Sequence, residues 1–208
     1  MTTITITQTG DRGTAEAGNY EIAVAGDYGT ATAGDYGIAI AGRDGTADAG
    51  DYGTAIAGDR GKATVGDGGR ATAGYQGQAS AGDHGTATAE NGGTAHAGRY
   101  GTATVGDGGF ATAGDHGQAI AGEYGTAIVG AEGIATASIE GKAMAEDLGT
   151  AIAGYGGIVA AGQGGTLMLK HRKGNLVLLK VARVGENGIE PNVAYRLNSK
   201  GRFEKAPE

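Results

Sequence analysis

The feature that most constrains this chain is an eight-residue repeat with glycine at two fixed places. From Asp11 the sequence reads DRGTAEAG, NYEIAVAG, DYGTATAG, DYGIAIAG, RDGTADAG, DYGTAIAG. The frame x-x-G-x-A-x-A-G continues without insertion to Gly162, nineteen units in all. A fixed period marks a stacked array in which each unit buries its apolar side only against its neighbours. Degenerate units flank it: TITITQTG ends at Gly10, and QGGTLMLK spans Gln163–Lys170. The expected organisation is an N-terminal capping unit (1–10), an octapeptide array (11–162) and a C-terminal β capping module (163–208).

Within a unit, x-A-x-A alternates with period 2, the signature of a strand. The flanking glycines mark turns and are expected to supply positive φ at the corners. Eight residues are too few to close a coil around two sheets, so two units, 16 residues, are expected per coil. If the variable positions faced inward, Glu16, Asp48, Lys62, Arg70, His96 and Lys142 would be buried without partners, at several kcal/mol each. The alanines must face inward instead, for example Ala31 and Ala33, Ala55 and Ala57, Ala87 and Ala89. The expected fold is therefore all-β: a two-sided parallel β-solenoid with a narrow, Ala-lined core, thickened at Val65, Val105 and Val129. Backbone ladders and close van der Waals contact would hold it, not large side chains. About ten coils at the strand spacing make a rod roughly 45–50 Å long. An intertwined trimeric β-helix, three chains about one axis, meets the same spacing.

A 16-residue period lies inside the eight. The second position of alternate units reads Tyr20, Tyr36, Tyr52, Gly68, His84, Tyr100, His116, Glu132, Leu148, mostly rings. The intervening units carry only Tyr28 and Tyr124 as rings there. The two edges of the coil therefore differ. Tyr20, Tyr36, Tyr52, His84, Tyr100 and His116 form a candidate dimer edge, because aromatic strips are favoured at interfaces and two rods can meet through a two-fold axis. The other reading is a ladder that only stiffens the corner of a monomer. The outward positions after this edge make a flat, β-branched face, with Thr54, Ile56, Thr72, Thr86, Thr88, Thr102, Thr104 and Ile120 as candidate contacts. The opposite face is more polar in its first half.

The runs AGDYGTAT (Ala25–Thr32) and AGDYGTAI (Ala49–Ile56) resemble the Ala-Gly-Tyr-Gly-Ser-Thr-x-Thr octapeptide of bacterial ice-nucleation proteins. The resemblance covers Asp11–Gly162 and implies a two-sided β-solenoid, Thr-x-Thr rows that order water, and pairing of rods along edge tyrosines. This chain departs from that pattern: within the array Ser occurs only at Ser80 and Ser138, and the Thr-x-Thr pairs are Thr30/Thr32, Thr86/Thr88 and Thr102/Thr104. The tail is similar to the short tails that follow Ala-Gly octapeptide arrays in uncharacterised bacterial and phage proteins.

After Gly162 the chain gains Leu, Val, Lys and Arg. Strands are expected near Thr166–His171, Leu176–Val184, Val193–Leu197 and Arg202–Glu204, and the poor alternation of LVLLKV predicts burial on both sides. Charge divides the same way: residues 1–162 hold 7 Lys+Arg against 19 Asp+Glu, residues 163–208 hold 9 against 4. An acidic rod is not expected to bind nucleic acid along its length. It can instead imitate the charge of duplex DNA and inhibit a DNA-binding protein, as in phage counter-defence.

The 45 glycines lack the every-third spacing of collagen, and no apolar run is long enough to span a membrane. MTTITITQTG has neither the basic nor the apolar region of a secretory signal, which points to the cytoplasm. The absence of Cys removes disulfides and thiolate chemistry. Recurrent Asp at the first position admits a calcium row, but the calcium-binding nonapeptide does not fit this frame, and side-chain to backbone hydrogen bonds account for Asp in such turns. No nucleophile–base set or phosphate loop stands out, so no enzymatic role, metal or cofactor is expected. The function expected is a rod that acts through its surface on a second copy or a protein partner, with ice binding and DNA mimicry as alternatives.

Overall fold

The computed structural model describes residues 4–207. Among them the chain forms 24 strands and no helix. The series opens with β1 (Ile6–Gln8), β2 (Thr14–Glu16), β3 (Ile22–Val24) and β4 (Thr30–Ala33), and recurs once per octapeptide to β20 (Ile158–Ala161). The odd-numbered strands through β21 (Thr166–Lys173) and then β22 (Leu176–Arg183) form one 12-stranded sheet. The even-numbered strands through β20, then β23 (Tyr195–Leu197) and β24 (Phe203–Lys205), form the second. Up to β21 all pairing is parallel and joins positions two octapeptides apart, as Thr86 with Thr102 and Ala95 with Ala111. The coil thus consists of two octapeptides and closes within one chain, and three chains are not needed to complete it.

The alanines face inward as the burial argument requires. Nearly all of the inward alanines from Ala15 to Ala161 are at most 7% exposed, and no polar or charged residue is buried among the described residues. Val65, Val105 and Val129 occupy the same inward positions and are also buried. A core of methyl groups offers little apolar area per residue. The continuous backbone ladder on both sheets therefore carries a large share of the cohesion.

The corners differ from expectation. Most are reverse turns closed by a glycine N–H to the carbonyl three residues earlier, as Gly37 to Gly34 at 3.0 Å, with Glu21 the donor in one unit. The residue with positive φ is not that glycine but the second residue of the unit: Tyr20 (62°), Tyr36 (56°), Tyr52 (56°), His84 (59°), Tyr100 (56°). From Arg12 to Gly164, 15 of the 20 such positions are not glycine, and none is Val, Ile or Thr, for which a positive φ is most costly. The strain is about 1–2 kcal/mol per residue. It is offset by a bond only stacking creates: the N–H of each such residue donates to the next coil, as Tyr36 to the Asp51 carbonyl at 2.9 Å. The glycines serve clearance. A Cβ on Gly85 would lie 2.7 Å from the Ala81 methyl and 3.0 Å from the Gly82 carbonyl oxygen.

In the C-terminal region β21 joins the first sheet in register with β19 (Thr150–Ala153) and replaces inward alanines by Leu167 and Leu169, both fully buried. A two-residue turn with Gly174 at φ 60° returns the chain as the antiparallel strand β22. β23 adds antiparallel to β20, and Val184, Ile189 and Tyr195 are buried in one cluster with the alanines. The tail strands begin or end one to two residues from their expected limits. The larger correction concerns LVLLKV: Leu176, Val177, Leu179 and Val181 are 53–64% exposed, not buried on both sides. β21 and β22 each have eight residues, twice the length of a coil strand, and half of the hairpin runs past the Ala core that would cover it.

Candidate functional site

The second-position residues of alternate units stand in one column because parallel pairing between every second octapeptide superposes them. Tyr20 stacks on Tyr36 with ring centroids 4.9 Å apart and 3° between planes, and Tyr36 on Tyr52 at 5.1 Å and 10°. After Gly68 the column resumes: His84 on Tyr100 at 5.1 Å, and Tyr100 on His116 at 4.8 Å. All six rings are brought into one line. Tyr20, Tyr36, Tyr52 and Tyr100 are 50–65% exposed, so stacking covers only part of each ring. At Gly68 the column is broken, and a Cβ there would lie 2.6 Å from Tyr52 Cε1, so the Tyr52 ring leans over the gap.

Beside the rings runs a second ladder. The N–H of Asp51 donates to Asp35 Oδ1 at 2.9 Å, that of Asp67 to Asp51 at 2.8 Å, and that of Asp83 to Asp67 at 2.8 Å. The N–H of Arg99 continues the series to Asp83 Oδ1 at 2.8 Å. The recurrent Asp thus does bond backbone, but the backbone of the next coil. Its signal in the sequence is the recurrence of Asp at the first position of every second unit. The Arg99 N–H, and then its guanidinium, hold the Asp83 carboxyl below its ordinary range. Arg43 does the same to Asp27 on the opposite edge, again chiefly through its N–H, and the Arg60 side chain does so to Asp44 at 2.6 Å. Among the described residues no group of three or more His, Cys, Asp or Glu is arranged to hold a metal ion.

The opposite edge carries no continuous aromatic column. Arg12 lies over the Tyr28 ring at 5.6 Å, and Asp44 pairs with Arg60, but Gly92 and Gly108 follow without side chains. The candidate flat-face residues lie on β7 (Thr54–Ala57), β9 (Arg70–Ala73), β11 (Thr86–Ala89), β13 (Thr102–Val105) and β15 (Gln118–Ala121) of the first sheet. Thr72, Thr88 and Thr104 are in register across three strands, and Thr86 faces Thr102. Thr54 is also half-buried, while Ile56 and Ile120 are more exposed. Arg70 and Gln118 bound the threonine patch on its two sides. Farther along this face a shallow groove of about 410 Å³ is lined by Ile120, Thr136, Ile139, Ile152, Tyr155 and Lys170. Sequence reasoning missed it; its signal is apolar Ile139 and Tyr155 where most units have a polar first residue.

Among the described residues no helix is long and apolar enough to cross a membrane. No family model, no curated protein and no solved structure matches the chain. The class is set by the fold: a two-sided, Ala-lined β-solenoid with one ringed edge.

Proposed function

We propose that the chain is a rigid, non-enzymatic interaction rod that pairs with a second copy along the ringed edge. The observation that carries this reading is the column Tyr20–Tyr36–Tyr52 and His84–Tyr100–His116, stacked in register and still at least half-exposed at its tyrosines. Holding a tyrosine at positive φ costs backbone energy that glycine would avoid. Each stacked pair returns about 0.5–1.5 kcal/mol, and burial of the outer ring faces against a second rod would add to that. A two-fold axis through such an edge makes the same residues serve both partners. The Asp35–Asp83 carboxylates lie on the same edge, so two rods also bring like charges together, and pairing strengthens with salt.

The test is sedimentation equilibrium of the wild type and of the Tyr36→Ser/Tyr52→Ser variant at low and high salt. The expected result is a wild-type dimer in the tens of micromolar and a folded monomeric variant. A wild type that stays monomeric there at both salt concentrations overturns the proposal.

A second reading, ice binding, is favoured by the in-register patch of Thr72, Thr86, Thr88, Thr102 and Thr104. It predicts thermal hysteresis and faceted ice, lost on Thr88→Lys. Absence of both at high protein concentration removes it.

A further inference from the structure

One edge of the first sheet ends in a strand whose outer side, from Leu176 to Val181, makes no backbone bond among the described residues, while the Arg183 carbonyl at its end accepts from the Glu186 N–H at 3.2 Å. β22 is last in the strand order and pairs only with β21. The phase of its free groups follows from one bond: Val184 N–H donates to the Gly165 carbonyl at 2.9 Å. In an antiparallel pair, bonded and non-bonded positions alternate. The register runs unbroken from Thr166 opposite Arg183 to Lys173 opposite Leu176. Val177, Leu179, Val181 and Arg183 therefore point N–H and C=O away from β21. Three of these four also carry exposed apolar side chains, Val177 at 61%, Leu179 at 53% and Val181 at 57%.

Natural edge strands are blunted by shortness, proline, bulges or several charges. β22 has eight residues, no proline, an unbroken register and, from Leu176 to Ala182, only Lys180 as a charge. The surrounding hairpin decides what fits there. Lys170, Arg172, Lys173, Lys180 and Arg183 lie on it, and Thr166–Arg183 holds no carboxylate. A second hairpin would bring the same cations against these. An acidic strand would complement them.

We infer that the free edge of β22 receives an extended segment of another protein in which apolar residues alternate with Asp or Glu. The segment adds as a further strand, its backbone satisfied by Val177, Leu179 and Val181. Its apolar side chains continue the exposed row of Val177, Leu179 and Val181, and its carboxylates, which fall on the other face, meet Lys180 with Lys173 at the hairpin tip. This mode takes affinity from main-chain bonds and selectivity from the alternating side chains. It is independent of pairing along the ringed edge, which uses other coils.

The experiment is fluorescence anisotropy of a labelled ten-residue peptide of alternating Val and Glu, titrated with the full chain. Saturable binding tighter than about 100 μM is expected, at least about tenfold weaker for the Val/Lys peptide, a difference of about 1.4 kcal/mol. Binding should weaken between about 50 mM and about 500 mM salt, as screening of the cation–carboxylate attraction requires. Leu179→Pro removes a free edge N–H without removing a bond to β21 and should abolish binding. The protein is left intact in a second arm, where peptides carry N-methyl groups on alternate residues; one phase should bind and the other should not. No binding by the Val/Glu peptide, equal binding of the Val/Lys peptide, or indifference to the N-methyl phase overturns the proposal. Association of the chain with itself that survives Tyr36→Ser/Tyr52→Ser and is lost with Leu179→Pro also overturns it, in favour of a second copy on this edge.

Discussion

The solenoid and its C-terminal hairpin are built from strands of one sheet by opposite means. In the solenoid most strands are four residues long, their inward side chains are mostly methyl groups, and each corner is bonded to the corner one coil along. In the hairpin the strands are eight residues long, Leu167 and Leu169 fill the interior, and one strand edge is open. The difference teaches where each part is vulnerable. At its turn-closing glycines the array has no room to gain an atom, as at Gly85, although its inward positions accept Val65, Val105 and Val129. The terminal region has room made by leucines and suffers from losing them.

Methyl changes of opposite sign break this comparison most severely. Leu167→Ala removes a fully buried side chain at the junction and should cost about 3–4 kcal/mol. Gly85→Ala adds one methyl 2.7 Å from Ala81 Cβ and should cost about 2–3 kcal/mol through overpacking. Denaturant unfolding of both variants checks this. If Gly85→Ala were neutral or stabilising, as glycine replacement is at unstrained sites, the clearance argument would fail.

The corner offers a finer test. Tyr36→Ile places a β-branched residue at φ 56° and removes two stacking contacts, for an expected loss of about 2 kcal/mol. Tyr36→Gly loses the same contacts but relieves the backbone, so thermal melts should place it within about 1 kcal/mol of the wild type. Equal destabilisation by the two would mean that positive φ carries no strain here.

Acid separates the two regions as well. Asp27, Asp44 and Asp83 titrate below their ordinary value of 3.8 in the fold, through N–H and guanidinium contacts from Arg43, Arg60 and Arg99. Their folded state prefers the charged form, so their contribution is present above the unfolded value and is lost as pH falls through the lower folded one. The melting temperature of the solenoid should stay level from about pH 7 to about pH 5 and fall below about pH 4. Asp83→Asn should flatten the acid limb, as circular dichroism melts would report. The smallest effect is expected at the open edge: Leu179→Lys leaves the core untouched and should change global stability by less than about 0.5 kcal/mol.

Much of this was legible in the sequence because stacking turns period into position. The recurrence of Tyr20, Tyr36 and Tyr52 in every second unit predicts their column, and the buried-charge argument over Lys62 and Glu16 turns the alanines inward. What was not legible depended on neighbours in the next coil. The positive φ of Tyr36 is tolerated through a bond to the Asp51 carbonyl, and the role of Asp51 appears only when its carboxylate reaches Asp67. Nothing in one octapeptide reveals either bond. The exposure of LVLLKV was misjudged for a related reason: an apolar run indicates burial only where something lies over it, and β22 extends past the width of the core.

The central claim, that the ringed edge joins two rods, is tested most directly by small-angle X-ray scattering of the full chain across a concentration series in high salt. The account predicts that mass per unit length and cross-sectional area double as concentration rises, while the length stays that of a single rod, roughly 50 Å at the strand spacing. The Tyr36→Ser/Tyr52→Ser variant should keep the single-rod cross-section throughout. A wild type whose cross-section stays that of one rod at every concentration would contradict the claim.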